Sequence, residues 1–339
     1  MSTSFAQDVL QPLIRGTHLE RSVARDALAE ILAGRVDGIL ISSFLTALTA
    51  KGETVDEMTG FVDAMLDAAT TLRVDEGAVD IVGTGGDQLH TVNVSTMAAL
   101  TVAGCGVPVA KHGNRAASSS VGSADVLEAL GVRLDVSPTV VSECLREARV
   151  AFLFAPTYHH ALGYLAPIRR ALGFRTIFNV LGPLANPARV RRGVIGVAQL
   201  HHLDAMAEVV HAHGAEYMLL VRGGDGLDEL SLGAVSALRT VTPHGVVASD
   251  LDAGAVLGRH HDVGAIRGGA TEDNVAVVRR FLDGDDGAVT DVVCANAALA
   301  LVASGLATSL EDGFELARQS VASGAASHAL ERLVAVSNS

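Results

Sequence analysis

The stretch "DIVGTGGDQLHTVNVST", from Asp80 to Thr96, places glycines, an aspartate and hydroxyl side chains between two apolar runs. An apolar run ends at Val82, a turn rich in glycine follows, and a helix is predicted to begin near Ser95. Glycine tolerates positive φ and lets the backbone approach a ligand, while a helix start adds free N–H groups and a positive dipole end. We therefore predict a strand–turn–helix unit whose turn binds phosphate groups. An ordinary glycine-rich turn is the alternative for this motif taken alone.

Short apolar strands alternate with helices from about residue 76 onward. The strand candidates are "AVDIVGT", "PVAKHG", "AFLFAP", "RGVIGVA" and "YMLLVRG". Between and after them, apolar residues recur at the three-and-four spacing that is typical of helices. Such alternation predicts βαβ units and a mainly parallel central sheet flanked by helices, which is an α/β fold.

The first 73 residues, in contrast, are predicted to be all helical. Four segments there have helical spacing and none has a strand pattern, and Thr54 with Glu57 forms a capping-box pattern at the start of the fourth. Prolines at 167, 183 and 187 interrupt a later stretch, which we expect to return the chain to the helical layer. The predicted division is a small helical domain, 1–73 joined by about 165–190, and a larger α/β domain, 76–164 and 191–339.

Composition and charge narrow the functional classes. The chain has 339 residues, 49% of them apolar, and a formal net charge of −13. This acidic balance argues against a nucleic-acid binder, whose contact face is normally basic. The N-terminus has no signal-peptide pattern, and no apolar run is long enough to span a membrane. Three cysteines without CxxC spacing are typical of reduced thiols, so we predict a cytoplasmic protein without a membrane partner.

A second loop with the residues of a ligand site follows the second strand candidate. The stretch "KHGNRAASSSVGSAD" begins with three potential cations, Lys111, His112 and Arg115, and an amide at Asn114, and its serines precede a helix. Two successive loops of this type at one edge of a parallel sheet predict a basic, hydroxyl-lined pocket for a polyphosphate. A solvated charged run is the alternative.

Two adjacent carboxylates, Asp228 and Glu229, lie in "GGDGLDELSL" after the strand candidate "YMLLV". Neighbouring carboxylates in a loop are usually only solvated. At the same sheet edge as the two loops, however, they are suited to Mg²⁺, which takes few protein carboxylates and completes its shell with water and substrate phosphates.

Several longer motifs resemble the anthranilate phosphoribosyltransferase family in order and spacing. They are "SFLTALTAKGET", "VGTGGD", "KHGNRAASS", "PIRRALGFRTIFNVLGPLANP", "DGLDELS" and "GGATEDN", and together they cover nearly the whole chain. The resemblance implies transfer of the 5-phosphoribosyl group from phosphoribosyl pyrophosphate to the amine of anthranilate, a step of tryptophan biosynthesis. It also implies Mg²⁺, as two ions with the pyrophosphate, and a homodimer joined through the helical domain.

The resemblance implies roles for individual residues as well. Arg169 pairs with the anthranilate carboxylate, and no residue acts as an acid or base, since an aromatic amine is already neutral at pH 7. The implied anthranilate site is Gly83, Asn114 and Arg169, and the implied metal ligands are Ser95, Asp228 and Glu229. The implied phosphoribosyl pyrophosphate site consists of Gly83, Gly86, Asp87, Thr91, Asn93, Val94, Ser95, Thr96, Lys111, His112, Gly113, Asn114, Arg115, Ala116, Ala117, Ser118, Ser119 and Ser123.

Other functions stay open at this point. They are a phosphoribosyltransferase for another aromatic acid, an enzyme like the pyrimidine nucleoside phosphorylases that uses inorganic phosphate, and a non-catalytic relative that binds nucleic acid. The pair Asp228-Glu229 and Arg169 favour a phosphoribosyltransferase over a phosphorylase, and the net charge weighs against nucleic acid. The chain departs from the usual residues of the family at Gln88, His160, Gly163 and Arg222.

Overall fold

The computed structural model describes residues 2–74, 77–115 and 121–339, and within these ranges a seven-stranded sheet forms the centre of the molecule. The order of the strands in the sheet is β3-β2-β1-β4-β5-β6-β7. The strands are β1 (Val79–Gly83), β2 (Val109–Gly113), β3 (Val150–Phe154), β4 (Arg192–Gly196), β5 (Tyr217–Gly223), β6 (Ser236–Thr242) and β7 (Gly245–Leu251). Because β1 to β5 are parallel, the predicted mainly parallel sheet is confirmed.

The strand order reverses between β1 and β4, which are neighbours although β2 and β3 lie between them in sequence. In the register of the sheet Gly83 is opposite Gly196, and Gly196 is opposite Val221. The carboxyl ends of β1, β4 and β5 therefore meet at one edge. Open parallel sheets bind ligands at such a reversal, just beyond the carboxyl ends of the strands.

The hairpin of β6 and β7 is absent from the predicted strands. Both strands are antiparallel to their neighbours and extend the sheet beyond β5. Most residues of β7 are exposed, and those of β6 are mostly half-buried. An edge strand that contacts solvent needs no apolar run, so the hydrophobic pattern that marks the five parallel strands does not mark these two.

Helices cover both faces of the sheet. The longer helices are α1 (Arg21–Leu32), α2 (Gly38–Lys51), α3 (Val55–Ala68), α4 (Val94–Gly104), α5 (Ser123–Ala129), α6 (Pro138–Ala148), α7 (Leu165–Leu172), α8 (Leu200–Ala212), α9 (Thr271–Leu282), α10 (Ala288–Ser304), α11 (Leu310–Ala322) and α12 (Ala325–Ser337). Shorter helical turns are Ser2–Phe5, Ala6–Leu10, Gln11–Ile14, Ala155–Tyr158, His160–Leu162, Phe178–Leu181, Gly182–Leu184, Ala253–Leu257 and Val263–Ile266. No helix of the described ranges is long and apolar enough to cross a membrane.

Two apolar cores lie on opposite faces of the sheet, because successive side chains of a strand point to opposite sides. Along β5, Leu219 and Val221 belong to the core shared with α4 and α10, whereas Met218 and Leu220 belong to the core shared with α1, α2, α3 and α8. The second core joins the N-terminal helical layer directly to the sheet. The predicted combination of a small helical domain and a larger α/β domain is confirmed as the fold class.

The stretch that was expected to return to the helical layer contributes to this second core. Leu165, Phe178 and Leu181 are buried in it together with side chains of α1 to α3. In addition, a Cβ atom added to Gly38 at the start of α2 would lie 3.6 Å from Ile168 Cδ1. These contacts support the return of the chain over about 165–190, while the domain boundaries themselves stay a prediction.

Candidate active site

The glycine-rich loop after β1 contacts the carboxylate loop after β5. The Gly85 N–H donates a hydrogen bond to Asp228 Oδ2 at 2.7 Å. A Cβ atom on Gly83 would lie 2.5 Å from the same oxygen, so a larger residue would displace the carboxylate. Gly85 and Gly86 have φ of 65° and 78°, a conformation that favours glycine. The sequence therefore needs glycine here both for the turn and for the approach of Asp228.

The carbonyl side of this loop is bound by Arg175, a residue for which the sequence predicted no role. Its Nη1 and Nη2 donate to the carbonyl oxygens of Gly86 and Gly85 at 3.2 and 3.1 Å. A side chain on Gly86 would overlap the guanidinium group. Arg175 thus holds the conformation of the glycine-rich loop through two of its carbonyl oxygens. Its position within the motif "GFRTIFNV" was the only signal in the sequence, because 89 residues separate it from the loop it holds.

Lys111 connects β1 and β2 with the start of α4. Its side chain is buried, and Nζ donates to the Ile81 carbonyl at 2.6 Å and to Ser95 Oγ at 3.1 Å. Burial lowers the pKa of Lys111, and the charges of Asp80 and Glu229 oppose that shift. Because Glu229 also lies against the Ser95 N–H, the predicted metal ligands Ser95 and Glu229 are neighbours in the fold.

Three carboxylates are close enough here to affect one another's ionisation. Burial, followed by the charge of Asp87, raises the pKa of Asp228 to about 6. Burial, followed by the charge of Asp228, raises the pKa of Glu229 well above its usual value. Asp87 lies close enough to Asp228 for their carboxyl groups to interact directly. This concentration of negative charge fits a divalent cation.

The protein oxygens alone do not make a complete metal site. Among the described residues no group of three or more His, Cys, Asp and Glu side chains is arranged to hold a metal ion. Mg²⁺ prefers octahedral coordination and commonly keeps several waters together with substrate phosphate oxygens. The residues present therefore fit Mg²⁺ that is bound together with a phosphorylated ligand.

Two of the three predicted cations differ from expectation. Burial lowers the pKa of His112 to about 3, so this side chain is neutral at pH 7. Arg115 binds Asp125 and Glu128, two acidic residues of α5, and its side chain is 47% exposed. Of these three side chains, Lys111 is the one that is buried beside the carboxylates of the site.

His112 is nevertheless bound closely at the strand end. Its N–H donates to Asp80 Oδ1 at 3.1 Å, and Nδ1 lies 3.2 Å from the Gly182 carbonyl oxygen. The His159 ring lies 5.4 Å from the His112 ring, and His112 Nε2 is buried without a partner among the described groups. A neutral, buried ring with an unsatisfied nitrogen is available to a ligand as a hydrogen-bonding group rather than as a charge.

The remaining predicted residues of the second loop are only partly described. Asn114 is exposed, and its carbonyl oxygen accepts from Ala124 N–H and Ser123 Oγ at 3.3 and 3.4 Å. Gly113 leaves no room for a side chain because Ser123 Oγ and the Phe152 ring lie within 2.6 Å of a Cβ atom built there. The predictions for Ala116, Ala117, Ser118 and Ser119 fall outside the described residues.

The start of α4 offers one unsatisfied hydroxyl, while its N–H groups are engaged with Val92, Asn93 and Glu229. Thr96 Oγ1 is buried with no hydrogen-bond partner in the described structure. Val94 is buried in the core beneath the helix, and its N–H donates to the Val92 carbonyl at 2.7 Å. Thr91 forms an isolated antiparallel bridge with Arg267, and Asn93 has both amide atoms engaged with neighbouring residues.

Arg169 is a half-buried cation without an acidic partner among the described residues. It lies on α7 with its guanidinium carbon 5.4 Å from the centre of the Phe178 ring. Burial lowers the pKa of Arg169, and no nearby carboxylate opposes that shift. An unpaired guanidinium stacked on an aromatic ring is suited to a carboxylate ligand. The structure gives no direct contact between Arg169 and Gly83 or Asn114.

The departures from the family pattern have distinct positions. Gln88 adopts a φ of 63° and is exposed, so a left-handed backbone is imposed on a residue other than glycine. Arg222 at the end of β5 donates to the carbonyl oxygens of Ala198 and Gly223 at 3.1 and 3.2 Å. His160 and Gly163 are exposed.

Comparisons with known proteins agree with this geometry. A model described as the glycosyl transferase family a/b domain matches residues 75–327, and one described as the helical bundle domain of that family matches residues 7–69. The anthranilate phosphoribosyltransferase of Thermomicrobium roseum is 46% identical over 335 residues, which are 97% of this chain and 96% of the relative. The chain belongs to the anthranilate phosphoribosyltransferase family. The family predicted from the motifs is thereby confirmed.

Solved structures of anthranilate phosphoribosyltransferases have the same fold. The enzyme from Thermus thermophilus superimposes with a TM-score of 0.92 at 42% identity, over 98% of this chain and 100% of that one. The Saccharomyces cerevisiae enzyme in complex with PRPP and Mg has a TM-score of 0.89 at 27% identity, over 98% and 97% of the two chains. The same yeast enzyme in complex with 4-fluoroanthranilate has a TM-score of 0.87 at 26% identity, with the same coverage.

Proposed function

We propose that this protein transfers the 5-phosphoribosyl group of phosphoribosyl pyrophosphate to the amine of anthranilate, giving N-(5-phosphoribosyl)anthranilate and pyrophosphate. The observation that carries the proposal is the contact of the glycine-rich loop with Asp228, next to Glu229 and the buried Lys111. This arrangement unites N–H donors, one cation and metal-binding oxygens where the strand order reverses. In the cell the reaction belongs to tryptophan biosynthesis.

The donor would lie across the two loops, with its phosphates against the glycine-rich loop after β1 and the start of α4. Ser95, Asp228 and Glu229 would hold Mg²⁺, and a second ion would share the pyrophosphate. Bound Mg²⁺ supplies positive charge that stabilises the departing pyrophosphate. The yeast relative in complex with PRPP and Mg supports the use of Mg²⁺ with this donor. Arg175 would contribute by holding the glycine-rich loop through its carbonyl oxygens.

The residues present suit a reaction that needs positioning and charge stabilisation rather than proton transfer. Breaking the bond between C1 and the pyrophosphate develops positive charge on the ribose and negative charge on the leaving oxygens. Lys111 and oriented N–H groups stabilise the negative charge without reorganising. An aromatic amine is a neutral nucleophile at pH 7, so holding it against C1 supplies much of the rate. No described residue needs to act as a general base.

Arg169 would bind the anthranilate carboxylate. Gly83 and Asn114 would contact the part of anthranilate that faces the phosphoribosyl donor. The unpaired guanidinium over Phe178 supports this role, as does the yeast relative in complex with 4-fluoroanthranilate. In the variant Arg169→Ala we expect the KM for anthranilate to rise far more than the KM for the donor. Arg170→Ala is the matched control, because Arg170 is the adjacent exposed arginine. Equal losses for both substrates would remove Arg169 from the acceptor site.

The direct test is the decay of anthranilate fluorescence with purified protein, phosphoribosyl pyrophosphate and Mg²⁺. The signal should fall only when all components are present and should persist when chelator removes the metal. The double variant Asp228→Asn, Glu229→Gln should lose most turnover at saturating Mg²⁺, whereas Asp250→Asn, an exposed carboxylate on β7, should not. If wild-type protein leaves anthranilate unchanged, other aromatic acids and nucleosides with phosphate are the substrates to try next.

We also propose that the protein is a homodimer joined through its helical layer. Two large apolar side chains of this layer, Ile14 and Ile39, are 67% and 77% exposed. Ile14 lines a surface groove between the N-terminal helix and α2 that includes Leu13 and Ala47. The double variant Ile14→Asp, Ile39→Asp should sediment as a monomer, and Val247→Asp on the exposed edge of β7 should leave the dimer intact. A wild-type monomer at micromolar concentration would refute this assignment.

A cytoplasmic location is part of the proposal. The three cysteines are free thiols in the structure, and unpaired, buried cysteines are typical of proteins kept in a reducing compartment. The substrates are small molecules, and the formal net charge of −13 opposes nucleic acid as a partner.

A further inference from the structure

The motif "GGATEDN", Gly268 to Asn274, has no role in the site described above. The structure nevertheless places it against the segment that leads from the glycine-rich loop into α4. Asn274 lies in the first turn of α9 and is 1% exposed. Its Oδ1 accepts a hydrogen bond from the Gly269 N–H at 3.0 Å, and its Nδ2 donates to Asn93 Oδ1 at 3.2 Å. A buried amide with both ends satisfied is held in one orientation.

The hydrogen bonds continue from Asn93 to the end of the loop that follows β2. Asn93 Nδ2 donates to the Val121 carbonyl oxygen at 3.3 Å. The direction of the whole series follows from its ends, because the Gly269 N–H can only donate and the Val121 carbonyl can only accept. Asn274 therefore has to present its oxygen to Gly269 and its NH₂ group to Asn93. Aspartate in its place would lack the donor that Asn93 requires.

Backbone bonds hold the same two segments together. The Val92 N–H donates to the Ile266 carbonyl at 3.0 Å, and the Gly268 N–H donates to the His90 carbonyl at 2.8 Å. His90 has a φ of 53°, a left-handed conformation that non-glycine residues seldom adopt and that needs support from the surrounding structure. A Cβ atom on Gly268 would lie 2.6 Å from Asn274 Oδ1. The segment before α9 thus supports the part of the first loop that leads into α4.

Asn93 begins α4, since its carbonyl oxygen accepts from the Thr96 and Met97 N–H groups. This helix start is part of the site that the proposed function assigns to the donor phosphates. Both amide atoms of the Asn93 side chain are occupied by Asn274 and Val121. Its part in donor binding is therefore to be held in place, and Asn274 holds it.

We propose that Asn274 is a positioning residue of the donor site, which fixes the start of α4 relative to the second loop through Asn93. This inference rests on the proposed function, because it assumes that the two loops bind phosphoribosyl pyrophosphate. Asn274 does not contact the substrate in this proposal. It sets the distance between the two sets of phosphate-binding groups, so its loss weakens donor binding and leaves acceptor binding unchanged.

The test is the effect of Asn274→Asp and Asn274→Ala on each substrate separately. We expect the KM for phosphoribosyl pyrophosphate to rise about tenfold, since a buried polar partner is left unsatisfied, while the KM for anthranilate stays within about twofold. Asp273→Ala is the matched control. Asp273 Oδ2 accepts from the Ala270 N–H at the same helix start, so its loss disturbs α9 without reaching Asn93. If Asp273→Ala raises the donor KM as much as Asn274→Ala, Asn274 has only a structural role.

Two further measurements separate this inference from the proposed function. Calorimetric titration with phosphoribosyl pyrophosphate and Mg²⁺ reports donor binding without any acceptor, so it does not depend on the identity of the aromatic acid. We expect the losses of donor affinity in Asn93→Ala and Asn274→Ala to be coupled. The double variant should then lose no more donor affinity than the weaker-binding single variant. If the losses of donor affinity in the two single variants instead add up in the double variant, Asn274 does not act through Asn93. Wild-type protein that binds no donor would overturn both proposals, whereas normal binding without turnover on anthranilate would overturn only the proposed acceptor.

Discussion

The buried ion pair of the helical layer allows the sharpest prediction about stability. Glu57 is fully buried, and its two carboxylate oxygens accept from the Leu19 N–H, the Thr54 N–H and Lys51 Nζ, each at 2.9 Å. The side chain of Lys51 is only 4% exposed. In the variant Glu57→Gln the shape of the side chain is kept, but the charge that compensates Lys51 is lost.

Breaking a buried ion pair from one side costs about 3–5 kcal/mol. Lys51 Nζ retains the Gly52 carbonyl at 2.7 Å and His18 Nδ1 at 2.9 Å, so we expect a loss near the lower end, about 3 kcal/mol. The matched control is Thr54→Ala, which removes only the hydroxyl that caps α3 and should cost about 1 kcal/mol.

Urea unfolding followed by far-ultraviolet circular dichroism measures both variants. With an m-value of about 3 kcal/mol per molar, the Glu57→Gln variant should unfold at about 1 M less urea than the wild type. The Thr54→Ala variant should show about a third of that shift. If Glu57→Gln destabilises the protein no more than Thr54→Ala does, the charge of Glu57 does not compensate Lys51 and the reasoning is refuted.

The remaining predictions concern the donor loop, pH and the thiols. Arg175→Ala should lower kcat/KM for the donor about tenfold, since two charge-assisted hydrogen bonds to the loop are lost. An unchanged kcat/KM in steady-state kinetics would contradict this prediction. Between pH 7 and pH 5 the free energy of unfolding should fall by about 2 kcal/mol less in His112→Gln than in the wild type. The control His244→Gln, at an exposed position, should behave as the wild type. Cys144 and Cys294 should resist a disulfide reagent until the protein unfolds, because burial raises their pKa to about 11 and about 12; rapid labelling of either in the folded protein would show that they are accessible.

The pH prediction depends on the sign of one shift. The pKa of His112 is about 3 in the folded protein and about 6.5 when the chain is unfolded. Below pH 6.5 the unfolded chain gains a proton that the folded protein does not take up, so stability falls as the pH falls from 6.5 toward 3. An identical slope for His112→Gln and wild-type protein would show that His112 is not kept neutral by burial.

Local chemistry was enough to predict the parts of the protein that interact over a few residues. The turn after β1 follows from glycines between an apolar strand and a helix start, and the five parallel strands follow from their apolar runs. The capping box of Thr54 and Glu57 is present as predicted from a spacing of three residues. The third loop with Asp228 could also be placed, because the carboxyl ends of parallel strands share one edge.

Contacts between distant segments had to await the tertiary structure. Arg175 holds the glycine-rich loop, Asn274 holds Asn93, and Arg115 turns toward α5, yet none of these partners can be selected by spacing alone. The neutral state of His112 depends on burial that the fold produces. A sequence specifies which groups can donate, accept or carry charge, whereas packing decides which of them meet and which lose contact with water. The family, the fold class and the candidate loops could therefore be predicted from residue types and spacing, whereas the contacts that hold those loops arise only from the packing of the folded chain.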